Sequence, residues 1–316
     1  MGTGAREITL RFMAAPTDVA TLGGPAIAGG RVLEWIDKAA YACAVGWSGG
    51  YCVTAYVGNV NFARPIHSGD VVEVLAKLVH TGRSSMHIEV TVSSADPQRA
   101  HYDFATSCTV IFVSVGDGGR PVPVEQWTPI TDDDKERSAT AVEKTAVRAD
   151  IAAAMAEQVY SDASRAPSAT LRFLAAPTDV NWGGKTHGGT VMRWIDEAAY
   201  VCAAGWSGKT CVAAYSGGIR FYRPIMIGHI VEVQARLLHT GRSSMHVSLH
   251  VRSGDPKAPD LQLTTHCLTI FVALDEHGEP TPVRSWEPEL EEDRRLDVHA
   301  QHLIQLRARL APVHPS

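Results

Sequence analysis

The stretch "NWGGKTHGGTVMRWID" (181–196) runs from a polar, glycine-dense loop into a helix that carries an acid, Asp196, amid apolar neighbours. An earlier stretch, "LGGPAIAGGRVLEWID" (22–37), ends in the same way, keeping the acid as Asp37 and lacking the asparagine. Other segments also return. "LRFMAAPTDV" (10–19) becomes "LRFLAAPTDV" (171–180), "HTGRSSMHIEVTV" (80–92) becomes "HTGRSSMHVSLHV" (239–251), and "CTVIFVSVGDGGRPVPV" (108–124) becomes "CLTIFVALDEHGEPTPV" (267–283). From Asp37 onward the register is 196 − 37 = 159; before the loop it is 171 − 10 = 161, so the first copy carries two extra loop residues. Two copies are too few for a solenoid, which needs about three. They predict two like domains packed as a covalent pseudo-dimer.

Each copy follows the same order. A strand (7–13, 169–174) leads into a Pro/Gly loop. A helix runs from Gly30 or Gly189 to the Gly-Trp-Ser-Gly segments at 46–49 and 205–208. Four strands follow, near 51–64, 69–81, 85–95 and 103–115, with counterparts near 210–223, 228–240, 244–253 and 261–274. Alternation such as "VVEVLAKLVHT" marks the strands, broken at Gly69 and Gly82. One long apolar helix against an antiparallel meander predicts an α+β fold. Between the copies, "TPITDDDKERSATAVEKTAVRADIAAAM" (128–155) reads as an acidic helix start followed by an Ala-rich helix. "EEDRRLDVHAQHLIQLRARL" (291–310) reads as its equivalent, and both are expected to pack or link.

With 316 residues, 45% hydrophobic, the chain has enough apolar mass for two cores. A net charge of −5 leaves no basic footprint for nucleic acid. No run of about 18 apolar residues is present, so no membrane span is expected. "MGTGAREITLRF" lacks the apolar centre of a signal peptide, which fits a cytoplasmic protein. Cys43, Cys52, Cys108, Cys202, Cys211 and Cys267 form no zinc-ligand spacing and read as small buried apolar residues; no metal is expected.

In the helix, Arg193 and Glu197 are spaced i, i+4, and the first copy has Glu34 and Lys38 there with the signs exchanged, as exposed surface pairs allow. Asp37 and Asp196 do not exchange, and an interior helical Asp is mildly unfavourable. The glycines before the helix permit close approach by a ligand, and a helix start offers free N–H groups to a developing oxyanion. Asp196 lies about 12 Å along the axis from its own helix start, at about 1.5 Å per residue. An antiparallel second helix would place its acid there instead, so a site shared between the copies makes physical sense.

These motifs resemble the tandem hotdog acyl-CoA thioesterases. The resemblance rests on "PTDVNWGGKTHGGTVMRWIDEAA" (177–199), "RFYRPIMIGHIVEV" (220–233) and "FVALDEHGEPTPV" (271–283), and on "NFARPIHSGDVVEV" (61–74) and the other first-copy counterparts. It covers nearly the whole chain outside the two linking helices. It implies two fused hotdog domains, each a long central helix wrapped by a curved antiparallel sheet. These would span 1–127 and 167–286, with a helical linker at 128–166 and a C-terminal helix at 287–316. It implies hydrolysis of a fatty acyl-CoA, with CoA part of the substrate and no cofactor. A carboxylate activates water or attacks the thioester, an asparagine orients water or substrate, and glycine amides polarise the carbonyl.

Carried over by motif, Asn181, Gly188 and Gly189 with Asp37 make one complete site. Asp196 with Gly29 and Gly30 makes a second, degenerate one, because the first loop has no asparagine where Ala20 to Leu22 align. His187 replaces a bulky apolar residue of many relatives and is a candidate for substrate contact or for capping the turn. Arg83, Ser84, Ser85, Arg242, Ser243 and Ser244 are candidates for CoA phosphates, as are Arg64 and Arg223 at strand ends. "GWSGG" (46–50) matches a nucleophile-elbow spacing around Ser48, but helix precedes strand there, the reverse of what an elbow needs. The alternatives are an acyl-CoA sensing protein without turnover and a hotdog enoyl-CoA hydratase/dehydratase. The expected assembly is a homo-oligomer, a trimer of tandem chains in preference to a dimer.

Overall fold

The computed structural model describes residues 6–19, 26–99, 101–161, 163–258 and 260–310. The first repeat comprises β1 (Glu7–Met13), α1 (Gly29–Ser48), β2 (Cys52–Val57), β3 (Val60–Asn61), β4 (Val71–Thr81), β5 (Ser85–Ala95) and β6 (Asp103–Ser114). After α2 (Asp132–Ala156) come β7 (Ser168–Leu174), α3 (Gly188–Ser207), β8 (Thr210–Phe221), β9 (Ile230–Thr240), β10 (Ser244–Gly254) and β11 (Gln262–Leu274), and α4 (Glu291–Ala308) follows.

All strands join one antiparallel sheet in the order β1-β4-β5-β6-β2-β8-β11-β10-β9-β7, with β3 also on β8. The two halves of the sheet meet on β8, where β2 pairs through Tyr56 with Arg220 and Val57 with Ile219, and β3 through Val60 with Ser216 and Asn61 with Tyr215. The expected strand 51–64 is split in the first repeat, where Gly58 and Asn59 interrupt it and Gly58 N–H donates to Thr109 O. The second repeat runs unbroken there because Gly218 takes φ +66° inside β8.

The strand pattern has a direct physical basis. Along β4, buried Val72, Val74, Ala76 and Leu78 alternate with outward residues, and these four join α1 and α3 in the main core. Both helices end on glycines in the left-handed region, Gly49 (φ 66°) and Gly208 (φ 65°), whose N–H groups return to Val45 O and Ala204 O. The two helices pack against each other at their starts. A Cβ at Gly30 would fall 2.8 Å from Arg193 Cα, and one at Gly189 would fall 2.9 Å from Glu34 Cα. This reciprocal pair is a pseudo-two-fold contact that only glycine permits.

That contact corrects one expectation. Glu34 is not an exposed partner of Lys38: it is 9% exposed, covered by the start of α3, and bonded to both Arg31 and Lys38. Arg193–Glu197 is the more open pair, with side chains 34% and 48% exposed. All six cysteines are buried free thiols. Burial pushes Cys43, Cys108, Cys202 and Cys267 up to about 12, so they stay protonated. Ser48 closes α1, and its hydroxyl lies against Gly50 O and Cys52 Sγ, with β2 following.

Candidate active site

Asp37 is 1% exposed, eight residues into α1, and it faces the start of α3 in the other repeat. Gly189 N–H donates to Asp37 Oδ2 at 2.8 Å, and the Thr54 hydroxyl donates to Oδ1 at 2.8 Å. His187, the N-cap of α3, places Nδ1 3.0 Å from the same Oδ2 and 3.1 Å from Gly189 N. Protonated at Nδ1, His187 donates to Asp37; bare at Nδ1, it accepts Gly189 N–H and caps the helix. Burial opposes the imidazolium, but the hydrogen bond and the charge of Asp37 outweigh it, so His187 is raised above its ordinary range.

The role expected of Gly189 is therefore corrected. Its amide is spent on the carboxylate of Asp37 and does not point free at a thioester. Gly188 supplies the first N–H of α3, one of those a helix leaves without an intrahelical partner. A Cβ on Gly188 would press on the Thr54 hydroxyl at 2.8 Å and on Asp37 Oδ2 at 3.2 Å. Asn181 is also tied more locally than expected. Its Oδ1 accepts N–H from Gly183 and Lys185, and its Nδ2 reaches Thr186 O at 3.4 Å. The side chain thus shapes the loop that it belongs to while lining the same cavity as Asp37.

That cavity is about 440 Å³ and takes its walls from both repeats, including Tyr41, Tyr51, Lys185, Tyr222 and Arg223. Its size falls in the range of small-molecule sites, about 300–1,000 Å³. Tyr51 packs on Gly183 and faces Asn181. Trp182 stacks on Tyr41, with centroids 4.6 Å apart and planes 6° apart, while remaining 72% exposed.

The other helix crossing forms a second cavity of about 480 Å³, holding Asp196, Gly29, Phe62, Arg64 and Ala213. Its chemistry differs. At the register of 159, Thr54 becomes Ala213 and His187 becomes Ala28, so Asp196 has lost both side-chain donors. Asp196 Oδ1 is buried without a hydrogen-bond partner. Burial raises Asp196 to about 6, against a smaller downward pull from the Gly30 amide. The loop position that lacks the asparagine, Ala20 to Leu22, lies outside the described residues.

Arg83, Ser84 and Ser85, with Arg242, Ser243 and Ser244, sit in the β4–β5 and β9–β10 hairpins and line neither cavity. Main-chain bonds anchor these turns: Val124 N–H to Arg83 O and Val283 N–H to Arg242 O. Besides His187, the basic side chains lining the first cavity are Lys185 and the exposed Arg223. Arg64, in the second, is paired with Asp103 at 2.7 Å. Among the described residues no cluster could hold a metal ion, and no helix is long and apolar enough to cross a membrane.

Thr54, Tyr51 and Trp182 escaped the sequence reading. Superposing the repeats offers a signal for two of them, since Tyr51 becomes Thr210 just as Thr54 becomes Ala213.

The thioesterase superfamily model matches residues 24–101 and 183–259, one segment in each repeat. Protein VdlD of Helicobacter pylori is 31% identical over 139 residues, 44% of this chain and 79% of that protein. The chain belongs to the thioesterase superfamily. Its fold is the hotdog thioesterase fold in two copies. The cytosolic acyl coenzyme A thioester hydrolase of Homo sapiens is 25% identical over 322 residues, 96% of this chain and 83% of that protein. A solved structure of a putative oleoyl thioesterase from Lactobacillus plantarum shares the fold at a TM-score of 0.60 and 10% identity, over 87% of this chain and 99% of that one.

Proposed function

We propose that the chain hydrolyses a fatty acyl-CoA to the free acid and CoA, at one composite site built by Asp37 of the first repeat and the Asn181–Gly189 segment of the second. The observation that carries this reading is the buried Asp37 carboxylate, held by Thr54 and Gly189 at the mouth of the α3 helix inside a two-repeat cavity. The near-full-length likeness to acyl coenzyme A thioester hydrolases supports the substrate class.

The chemistry follows from the geometry. A thioester carbonyl placed against Gly188 N–H meets the positive end of α3, which stabilises the oxyanion that forms on attack. Asp37 keeps lone pairs beyond the three donors around it, and it either takes a proton from water or attacks the carbonyl itself. Asn181, lining the same cavity, orients water or substrate. The C–S bond breaks and CoA leaves as a thiolate, which takes up the proton that water gave to Asp37. Where Asp37 attacks directly, water then hydrolyses the acyl–Asp37 anhydride to release the acid, and its proton goes to the thiolate. Lys185 and Arg223 supply positive charge for the CoA phosphates, and binding energy from that remote nucleotide positions the thioester.

On this reading, each repeat is a hotdog domain, 1–127 and 167–286, with a helical linker at 128–166 and a C-terminal helix at 287–316. The protein works in the cytoplasm as a homo-oligomer, a trimer of tandem chains in preference to a dimer; sedimentation velocity measures its mass directly. Release of free thiol from acyl-CoAs of several chain lengths tests the activity. Thiol release that vanishes in Asp37→Asn supports it. Binding without thiol release points to a sensor, and loss of enoyl absorbance without thiol release points to a hydratase.

A further inference from the structure

The two appended helices carry a second pseudo-symmetric arrangement. At the register of 159, Arg148 of α2 corresponds to Arg307 of α4, and Tyr56 of β2 to Tyr215 of β8. Each arginine lies over its tyrosine: Arg148 Cζ is 5.8 Å from the Tyr56 ring centroid, and Arg307 Cζ is 5.0 Å from that of Tyr215. β2 and β8 are the neighbours that join the two halves of the sheet, so both stacks meet at that seam. Arg148 and Arg307 are 8% and 7% exposed.

Neither guanidinium has a carboxylate partner among the described residues. Arg148 donates from one nitrogen to Ala141 O and the Thr145 hydroxyl. Arg307 has all three nitrogens buried without a hydrogen-bond partner. The Tyr56 hydroxyl beside them is likewise buried and unpartnered. Lys144 lies near, with Glu89 and Glu143 as its counter-charges. Two buried, uncompensated cations at one seam are costly unless an anion joins them. Room for one exists beside Arg148: a cavity of about 40 Å³ is lined by Tyr56, Asn59, Lys144 and Arg148, and Arg307 stands behind that wall, on Tyr215, whose hydroxyl bonds Asn59 Oδ1. A single water needs only about 10–15 Å³.

We propose that this seam is a binding site for a phosphate-class oxyanion, held in that cavity by Arg148 and the Tyr56 hydroxyl, with Arg307 as the neighbouring unpartnered charge. The planar guanidinium forks suit the oxygen edges of such an anion, which a point charge would match less well. The ligand ties α2 to α4 across the junction of the repeats, giving the appended helices a role beyond packing. The site lies on the outer face of the sheet, apart from both helix-crossing cavities.

The test is thermal unfolding of the full chain in chloride buffer, titrated with inorganic phosphate or a nucleoside monophosphate. The expected result is a saturating rise in Tm of about 5 °C at a hundredfold excess over the dissociation constant. Arg307→Met should raise Tm without phosphate, by removing an unpartnered buried charge, and should weaken the phosphate-dependent rise at least tenfold in midpoint. Arg148→Met should abolish that rise. A tighter response to the nucleoside monophosphate names a phosphate group on a larger molecule as the ligand, and a response to inorganic phosphate alone names the free ion. A linear, non-saturating rise that persists in both variants is the general salting effect of phosphate and overturns the proposal, as does no rise in the unsubstituted chain.

Discussion

Thr54 donates its hydroxyl proton to Asp37 at 2.8 Å, while at the pseudo-equivalent position Ala213 offers Asp196 only a methyl group. One buried carboxylate is thereby satisfied on both oxygens, while the other keeps its Oδ1 without a partner. A hydrogen bond to a charged group contributes about 1.5–3 kcal/mol, so Thr54→Ala should lower kcat by about 10–150-fold. Thr54→Ser keeps the donor and should retain most of the rate. Steady-state thiol release on both variants checks this, and equal losses in the two would remove Thr54 from the mechanism.

The same asymmetry separates the two acids in turnover. Asp37→Asn and Asn181→Ala should each cost about 10²–10⁴-fold, whereas Asp196→Asn should leave more than half of kcat. An inactive Asp196→Asn protein of unchanged Tm would reverse the assignment of the working site.

Asp196 also sets a pH dependence of stability. Its folded value of about 6 lies above that of the unfolded chain, near 3.9. The folded state therefore binds the proton more tightly. This contribution is fully present below about pH 4 and is lost as the pH rises through about 6. Asp196→Asn should be neutral to stability at pH 4 and stabilising at pH 8, by up to about 2–3 kcal/mol for two units. Denaturant unfolding at the two pH values measures it; a gain of equal size at both would contradict the cause given.

How much of this was legible beforehand depended on the kind of signal. The duplication and the strand-helix order are written as long repeats and period-2 alternation, so they survive reading without coordinates. The Asp37–Gly189 approach followed from the length of a helix, because an acid two turns in cannot fold back on its own start. Thr54 is a single residue inside a strand, and only subtracting one repeat from the other exposes it. Glu34 was misjudged because its spacing to Lys38 describes its own helix and says nothing of the helix that covers it. The Arg148 and Arg307 stacks were hidden for a similar reason: "AVRAD" and "QLRAR" share little besides the arginine and the alanine after it.

His187 makes the site itself responsive to pH. Its value is raised by the Asp37 hydrogen bond and charge, and below it the protonated ring donates to Asp37. Above that value the proton leaves, Nδ1 no longer donates to Asp37, and Asp37 keeps its Gly189 and Thr54 donors but becomes the freer base. The rate should therefore climb as pH rises through the His187 value, and this limb should vanish in His187→Asn. For stability the sign is opposite: the imidazolium contact contributes below about 6.5 and is lost as pH rises through the raised folded value. The pH profile of kcat for both proteins is the measurement, and a limb unchanged in His187→Asn belongs to another group.

The reciprocal glycines give the last test, because the same contact serves packing on one side and chemistry on the other. A methyl at Gly30 would lie 2.8 Å from Arg193 Cα, and one at Gly189 would lie 2.9 Å from Glu34 Cα. Both neighbours are helix backbone, which cannot swing aside, so the helices must separate. Overpacking of this kind costs about 1–3 kcal/mol, and Gly30→Ala and Gly189→Ala should lower Tm by similar amounts. Their effects on turnover should differ. Separation at Gly189 draws its N–H away from Asp37 and should reduce kcat at least tenfold, whereas separation at Gly30 disturbs Asp196 first. Equal loss of stability with unequal loss of kcat is the expected pair of results. If Gly30→Ala were as inactive as Gly189→Ala, the two crossings would be mechanically coupled and the division of labour between the cavities would fail.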